Sequence, residues 1–193
     1  MNQGDNALAR SLSEENLIIS REVGDKRDIA VALSTLGHVA YMEGDYVTSR
    51  AVFEEITSAH RELGDRFNLA ILLNNLGNVA LMQGDHAGAR SRHEEALALR
   101  RELGSKWGIA ISLVGLGGAA VLAGDPERGT RVLAAADALL AAIGASLESD
   151  DRIPYEHGVA SARARLDEEA FAGAWAEGQA LSMEQAIAYA LEG

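Results

Sequence analysis

The internal repeat of this chain is clearest in residues 61–100, RELGDRFNLAILLNNLGNVALMQGDHAGARSRHEEALALR, which align without a gap on residues 21–60, REVGDKRDIAVALSTLGHVAYMEGDYVTSRAVFEEITSAH. The same shift of 40 residues reaches residues 101–140, RELGSKWGIAISLVGLGGAAVLAGDPERGTRVLAAADALL, and loses its register after Gly144. A fixed period of this length indicates a repeat protein whose modules stack on their neighbours.

Glycines divide each repeat into two halves. The first set, each followed by Asp or Ser, comprises Gly24, Gly64 and Gly104; the second, each followed by Asp, comprises Gly44, Gly84 and Gly124. Glycine often ends a helix in the left-handed conformation, and a following Asp or Ser can cap the next helix. Each repeat is therefore predicted to contain two antiparallel helices of about 18 residues, joined by tight turns.

A further glycine recurs in the middle of each first helix, at Gly37, Gly77 and Gly117. It lies within a helical stripe of apolar and small residues. Glycine in a helix interior costs about 1 kcal/mol relative to alanine. Its recurrence predicts that the paired helix crosses at close range there.

Composition restricts the class of protein and its partners. The 193 residues are 48% apolar and carry a formal net charge of -12, with no cysteine. A negative surface repels phosphate backbones and anionic lipid, so neither direct nucleic-acid binding nor membrane binding is expected. No run of 18 uncharged apolar residues and no signal peptide are recognisable, which favours a cytoplasmic protein.

Motifs for catalysis, cofactors and metals are incomplete. The segment 115–120 superficially fits a dinucleotide-binding loop, but it aligns with the middle of a helix and follows no strand. The segment beginning at His93 has the first half of a zinc-protease motif and lacks the second histidine. We therefore expect no catalytic residue, no metal site and no cofactor, and a protein that is not an enzyme.

The repeated pattern resembles the tetratricopeptide repeat (TPR). The resemblance rests on a Leu-x-x-Leu-Gly segment, a Gly-Asp turn and the small or apolar residues that follow, which are Leu33, Leu36, Gly37, Gly44, Asp45, Ser49, Phe53 and Ile56. The period is 40 residues rather than the usual 34, which is similar to longer-helix variants in bacterial regulators and kinesin light chains. The resemblance implies an all-α solenoid with a right-handed superhelix.

The predicted domains are a repeat array of about seven helices at 1–144 and a C-terminal cap of two or three helices at 145–193. The array comprises a half repeat, 4–23, and three full repeats, 24–63, 64–103 and 104–143. In the cap, Asp167 and Ser182 are each predicted to begin a short helix. The segment 167–193 resembles the C-terminal end of bacterial LuxR-type regulators that carry an ATPase module and a TPR array.

The resemblance implies a partner-binding surface on the concave wall of the solenoid. Its residues are Ser34, His38, Tyr41, Met42, Asn74, Asn78, Leu81, Met82, Val114 and Val121. The function predicted is a non-catalytic scaffold or sensor module that binds a protein or peptide, as part of a bacterial regulatory protein. Asn74 and Asn78 could hold a peptide backbone or be satisfied by neighbouring helices.

Two other functions remain open. A small effector could bind in an apolar groove between the third repeat and the cap, near Trp107 and Trp175. The chain could also form a homodimer, because the N-terminal helix lacks the first helix of its own repeat. The residues predicted for this contact are Leu8, Leu12, Leu17 and Ile18.

Overall fold

The computed structural model describes residues 3–147 and 149–192. Within these ranges the chain forms ten helices and no strand, which confirms the predicted all-α class. The helices are α1 (Gln3–Val23), α2 (Lys26–Met42), α3 (Tyr46–Leu63), α4 (Arg66–Met82), α5 (His86–Glu102), α6 (Lys106–Ala123), α7 (Pro126–Ala142), α8 (Ser149–Arg165), α9 (Glu168–Gln179) and α10 (Met183–Leu191).

The helices belong to two compact units, which divide between Asp65 and Arg66. In the first unit α2 packs against both α1 and α3. In the second unit each of α4, α5, α6 and α7 packs against its neighbour in the chain. The C-terminal helices α8, α9 and α10 all pack against α7 in this second unit, and α8 also covers α6.

The turns have the conformation that the sequence predicts. Gly64 and Gly124 end their helices with positive φ angles of 69° and 107°, a region that favours glycine because it has no Cβ. The side chain of Asp45 accepts a hydrogen bond from the Thr48 N–H at 3.1 Å, and so caps α3. Pro126 is the first residue of α7.

The glycines in the middle of the first helices mark close helix crossings, as predicted. A Cβ atom on Gly37 would lie 2.6 Å from Phe53 Cε1, and one on Gly77 would lie 2.6 Å from His93 Cε1. In the third repeat a Cβ on Gly117 would lie 2.8 Å from Leu133 Cγ. The glycine therefore makes room for the large side chain that the second helix inserts there.

Replacing Gly117 with alanine is expected to destabilise the protein by about 1–3 kcal/mol, because the core is overpacked there. The added Cβ would lie 3.0 Å from the backbone oxygen of Gly129, and backbone cannot yield as a flexible side chain can. The measurement is urea unfolding followed by circular dichroism. Gly173→Ala in α9 is the control, since no atom lies within 4 Å of its added Cβ. Equal stability of the two variants would contradict a close crossing at Gly117.

The cap contains three helices, which lies within the predicted two or three: the two expected at Asp167 and Ser182, and one that precedes them. Asp167 caps α9, and Ser182 and Gln185 form a capping box at the start of α10. The additional helix, α8, contains Pro154 in its interior, and it occupies the stretch in which the repeat register is lost. Asp150 and Asp151 in its first turn favour the helix N-terminus electrostatically.

Helix α6 is the central core helix of the second unit. Among the described helices, Lys106–Ala123 alone is long and apolar enough to qualify as a membrane span by length and composition. Of this segment 72% is buried inside the protein. Its apolar character is therefore explained by contact with the helices around it.

Candidate partner-binding wall

The predicted binding surface of the second and third repeats lies on one face of α4 and α6. We call this face the inner wall and define it by Asn74, Asn78 and Leu81 of α4 and by Val114 and Gly118 of α6. Helix α8 packs against α6 and also contacts α4. All five of these residues are buried.

The polar contact between α8 and the inner wall is made by Asp151. Its Oδ1 atom accepts a hydrogen bond from Asn74 Nδ2 at 2.9 Å and another from Asn78 Nδ2 at 3.3 Å. The two asparagines are 2% and 4% exposed, and Asp151 is 9% exposed. The carboxylate is therefore largely shielded from water and depends on these amide donors for its hydrogen bonds.

Arg100 of α5 lies behind the asparagines and is only 4% exposed. Its Nη1 atom donates to Asn74 Oδ1 at 3.2 Å, to the Gly108 carbonyl at 2.9 Å and to Ser112 Oγ at 2.9 Å. Asn74 accepts from the guanidinium and donates to Asp151. Its amide thus bridges a buried positive charge and a buried negative charge.

Burial disfavours the ionised forms of Arg100 and Asp151. It lowers the pKa of Arg100 to about 10, and the charge of Asp151 acts in the opposite direction. It also raises the pKa of Asp151, against the charge of Arg100 and the hydrogen bonds from Asn78 and Asn74. Arg100 remains protonated at neutral pH, so a positive charge lies behind the amide donors of the inner wall.

Further along α8, small residues allow its backbone to approach α6. A Cβ on Gly158 would lie 3.3 Å from the Cα of Gly118 and 3.2 Å from Leu133 Cδ1. The carbonyl of Pro154 would lie 3.8 Å from a Cβ on Gly118. Beyond these contacts, the Arg165 guanidinium donates to the carbonyl of Val121. The inner wall therefore receives a helix with a carboxylate at one end and a narrow surface beyond it.

His93 belongs to the core next to the inner wall. Its ring lies against Gly77 of α4 and Gly115 of α6, and neither ring nitrogen has a hydrogen-bond partner within the described residues. Burial, with a smaller contribution from the charge of Arg100, lowers its pKa to about 3. His93 is thus a neutral, buried ring at the position that Phe53 occupies one repeat earlier.

A family model of the tetratricopeptide repeat matches residues 28–102 and residues 68–128, which together cover more than half of the chain. The protein belongs to the tetratricopeptide repeat family. A search of curated proteins finds no match. TPR folds are typically non-catalytic and generally mediate protein–protein interactions. Within the described residues of this TPR protein, no three His, Cys, Asp or Glu side chains form a group that could hold a metal ion.

The inner wall of this TPR protein differs from the open surface expected from the sequence. Asn74, Asn78, Leu81, Val114 and Val121 are all buried. Asp151 of α8 covers Asn74 and Asn78, whereas Leu81 lies against Gly118 of α6 and Val121 against Gly129 of α7, so none of these side chains is accessible while the helices are packed in this way. Met82 is partly exposed at the end of α4.

The predicted residues of the first TPR unit are arranged around an aromatic cluster. The His38 ring meets Phe53 edge to face with centroids 5.1 Å apart, and its Nδ1 donates to the Ser34 carbonyl at 2.7 Å. Tyr41 is buried beside Tyr46. Of this group Ser34, His38 and Met42 stay partly exposed, so a role in partner binding remains a prediction for them.

The predicted self-association residues lie on α1. Leu8, Leu12 and Ile18 are exposed, whereas Leu17 is partly buried. Two residues that the prediction omitted are also exposed, Ile19 and Val23. The spacing of Leu8, Leu12, Ile19 and Val23 places them on one side of the helix.

The predicted small-ligand groove near Trp107 and Trp175 does not coincide with a cavity that the second unit contains between its helices. That cavity measures about 540 Å³ and is lined by residues of the α4–α5 turn, α5, α6, α7 and α10. Neither tryptophan lines it. Trp175 instead stacks on Phe171 with centroids 5.5 Å apart.

Sequence reasoning missed Arg100 and Asp151. A signal for Arg100 was present in the repeat alignment, which places it at the position of His60 and Leu140. An arginine at a position that can be apolar suggests that it is buried with a polar or charged partner. Asp151 had no such signal because it lies outside the repeats.

Proposed function

We propose that this TPR protein is a non-catalytic scaffold that binds a helical segment of a protein partner on the inner wall. One observation carries the proposal: α4 and α6 hold a helix there, namely α8, through Asp151 and the close approach of Gly158 to Gly118. A wall shaped for one helix can accept another of similar chemistry.

The proposed setting is a bacterial regulatory protein in the cytoplasm. The support is the resemblance of the segment 167–193 to the C-terminal end of LuxR-type regulators. The net charge of -12 disfavours direct nucleic-acid binding. In such a setting the protein would recognise another protein, and its partner or another part of the regulator would contact DNA.

The test is whether the inner wall binds a helix in trans. We expect a fluorescein-labelled synthetic peptide of residues 146–166 to bind the full chain carrying Gly158→Leu, because a leucine at 158 would clash with Leu133 and Gly118 and release α8. Fluorescence anisotropy measures the affinity. The matched control is Gly173→Leu in α9, where no atom lies within 4 Å of the added Cβ. Absence of peptide binding to a folded Gly158→Leu chain would overturn the proposed function.

A second candidate function is self-association through α1. The observation that favours it is the stripe of Leu8, Leu12, Ile19 and Val23, each of which is more than half exposed. Apolar surface of this extent on one side of a helix often contacts another protein, and a second copy of the chain would supply an identical stripe.

We expect the double variant Leu12→Glu, Ile19→Glu to remain monomeric at concentrations at which the unmodified chain forms dimers. Two carboxylates on the stripe would repel the same carboxylates of a second copy, and their removal from water in the contact would be unfavourable. Multi-angle light scattering measures the mass. Val47→Glu is the control, because Val47 is 75% exposed but belongs to α3. A monomeric unmodified chain at high concentration would rule out this contact.

A further inference from the structure

We infer that the inner wall is selective for a helix that presents a carboxylate to Asn74 and Asn78, and that α8 is its resident occupant, which such a partner helix displaces. This inference rests on the proposed function and adds the chemistry of the partner and the resting state of the surface. The partner helix carries an aspartate and has small residues one and two turns further on. Three features of the second unit support it.

The first feature is that the polar groups of the inner wall are oriented to donate. Asn74 Oδ1 accepts from Arg100 Nη1, which directs Asn74 Nδ2 towards α8. An amide held in this way cannot rotate to offer its oxygen to the occupant without losing the bond to Arg100. Asn78 directs its own Nδ2 at the same oxygen of Asp151. The wall thus requires a hydrogen-bond acceptor.

The second feature is the buried charge of Arg100. The guanidinium does not touch Asp151 but lies one amide behind it, in a region where electrostatic interactions are only weakly screened. A carboxylate on the occupant compensates this charge. A lysine or arginine at the same place would meet donors and a second positive charge. The wall therefore discriminates between acidic and basic helices.

The third feature is the set of contacts that α8 makes with the second unit. Its buried residues are Asp151, Pro154, Gly158 and Ala162, while Tyr155 and Val159 are partly buried and pack against the hydrophobic core. Pro154 removes one hydrogen bond from within α8. A partner helix that displaces α8 must therefore match the carboxylate of Asp151, the close approach at Gly158 and an apolar contact with the core.

The other cap helices can stay in place during the exchange. Helix α9 packs extensively against α7 and only slightly against α8. The carbonyl groups at the end of α10 accept hydrogen bonds from Arg128 of α7, including one to the Tyr189 carbonyl at 3.0 Å. Release of α8 therefore does not require release of the helices that follow it.

The test compares labelled peptides of residues 146–166 that differ only at position 151. We expect the Gly158→Leu chain to bind the unmodified peptide at least tenfold more tightly than the unmodified chain does, because its own α8 no longer competes. The Asp151→Lys peptide is expected to bind at least tenfold more weakly than the unmodified peptide, and the Asp151→Asn peptide to fall between them. Fluorescence anisotropy gives the dissociation constants. A full chain carrying Asp151→Lys, which releases α8 by charge rather than by size, provides an independent receptor.

The outcomes separate this inference from the proposed function. Equal binding of the Asp151→Lys and unmodified peptides would overturn carboxylate selectivity and leave a helix-binding wall. Equal binding of the unmodified peptide by the unmodified and Gly158→Leu chains would overturn the exchange of α8. Binding of no peptide by either folded receptor would overturn the proposed function itself.

Discussion

Arg100→Met is expected to release α8 from the inner wall. Removal of one partner from a buried salt bridge costs about 3–5 kcal/mol, and we expect a smaller loss here because the Asn74 amide separates the two charges. In this variant Asp151 would lose the positive charge that lowers its pKa against the effect of burial, so the carboxyl group must either stay buried without compensation or take up a proton, and both changes weaken its contact with the wall. Asp151 makes the polar contact of α8 with the inner wall, so this loss weakens the docking of α8, which Tyr155 and Val159 support through apolar contacts with the core.

Hydrogen–deuterium exchange of the backbone amides measures this release. The expected result is loss of protection in Ser149–Arg165, while α4, α6 and α7 keep theirs. The matched control is Arg101→Met. Arg101 is the next residue along α5, is exposed and makes only a surface ion pair with Glu184. Wild-type protection of α8 in the Arg100→Met chain would show that the buried charge does not hold this helix.

A double variant tests whether compensation of charge is the cause. Asp151→Asn keeps an oxygen that can accept from Asn74 and Asn78 but removes the negative charge. Combined with Arg100→Met, it leaves a neutral cluster, and we expect part of the protection of α8 to return. Failure of the second change to restore protection would point to loss of packing around Arg100 instead.

His93→Phe is expected to change the dependence of stability on pH. The ring of His93 is neutral in the folded protein with a pKa of about 3, whereas the ordinary value is 6.5. Between these pH values the unfolded chain binds a proton that the folded chain does not bind. Stability therefore falls as the pH falls, by about 1.4 kcal/mol per pH unit for this group.

Phenylalanine cannot be protonated, so it removes this fall in the free energy of unfolding at low pH. It retains a flat ring, like that of Phe53 beside Gly37. The difference in unfolding free energy between the variant and the unmodified chain should grow in favour of the variant by about 2 kcal/mol from pH 6.5 to pH 4.5, because the unfolded histidine is already half protonated at pH 6.5. Urea unfolding at a series of pH values measures it. Any cost of fitting the larger ring is the same at every pH, so it shifts the two curves without changing their divergence.

The exposed histidine of α8, His157, supplies the control for this experiment. We expect His157→Gln to change the unfolding free energy by less than about 0.5 kcal/mol, as is usual for an exposed substitution. Titration of the carboxylates is common to all three proteins and cancels in the comparison. Parallel curves for His93→Phe and the unmodified chain would show that His93 does not remain neutral in the folded state.

Much of the fold follows from local sequence. Gly64 and Gly124 end their helices because glycine adopts the left-handed conformation without the steric penalty of a Cβ, and an Asp that can cap the next helix follows each of them. The recurrence of Gly37, Gly77 and Gly117 also predicted the close crossings, since a costly residue is repeated only where packing requires it. The repeated pattern thus gave the helices of the array, their pairing and the side of each helix that faces its partner.

The occupant of the inner wall could not be inferred in the same way. Asn74 and Asp151 are 77 residues apart, and no periodicity relates them. Helix α8 carries Pro154 in its interior. It also lacks the broad apolar stripe by which a packed helix is usually recognised in a sequence. Local interactions determine the helices and turns. The partner of a buried charge is determined instead by which groups tertiary packing brings together away from water, and this depends on the completed packing of α4, α5, α6 and α8.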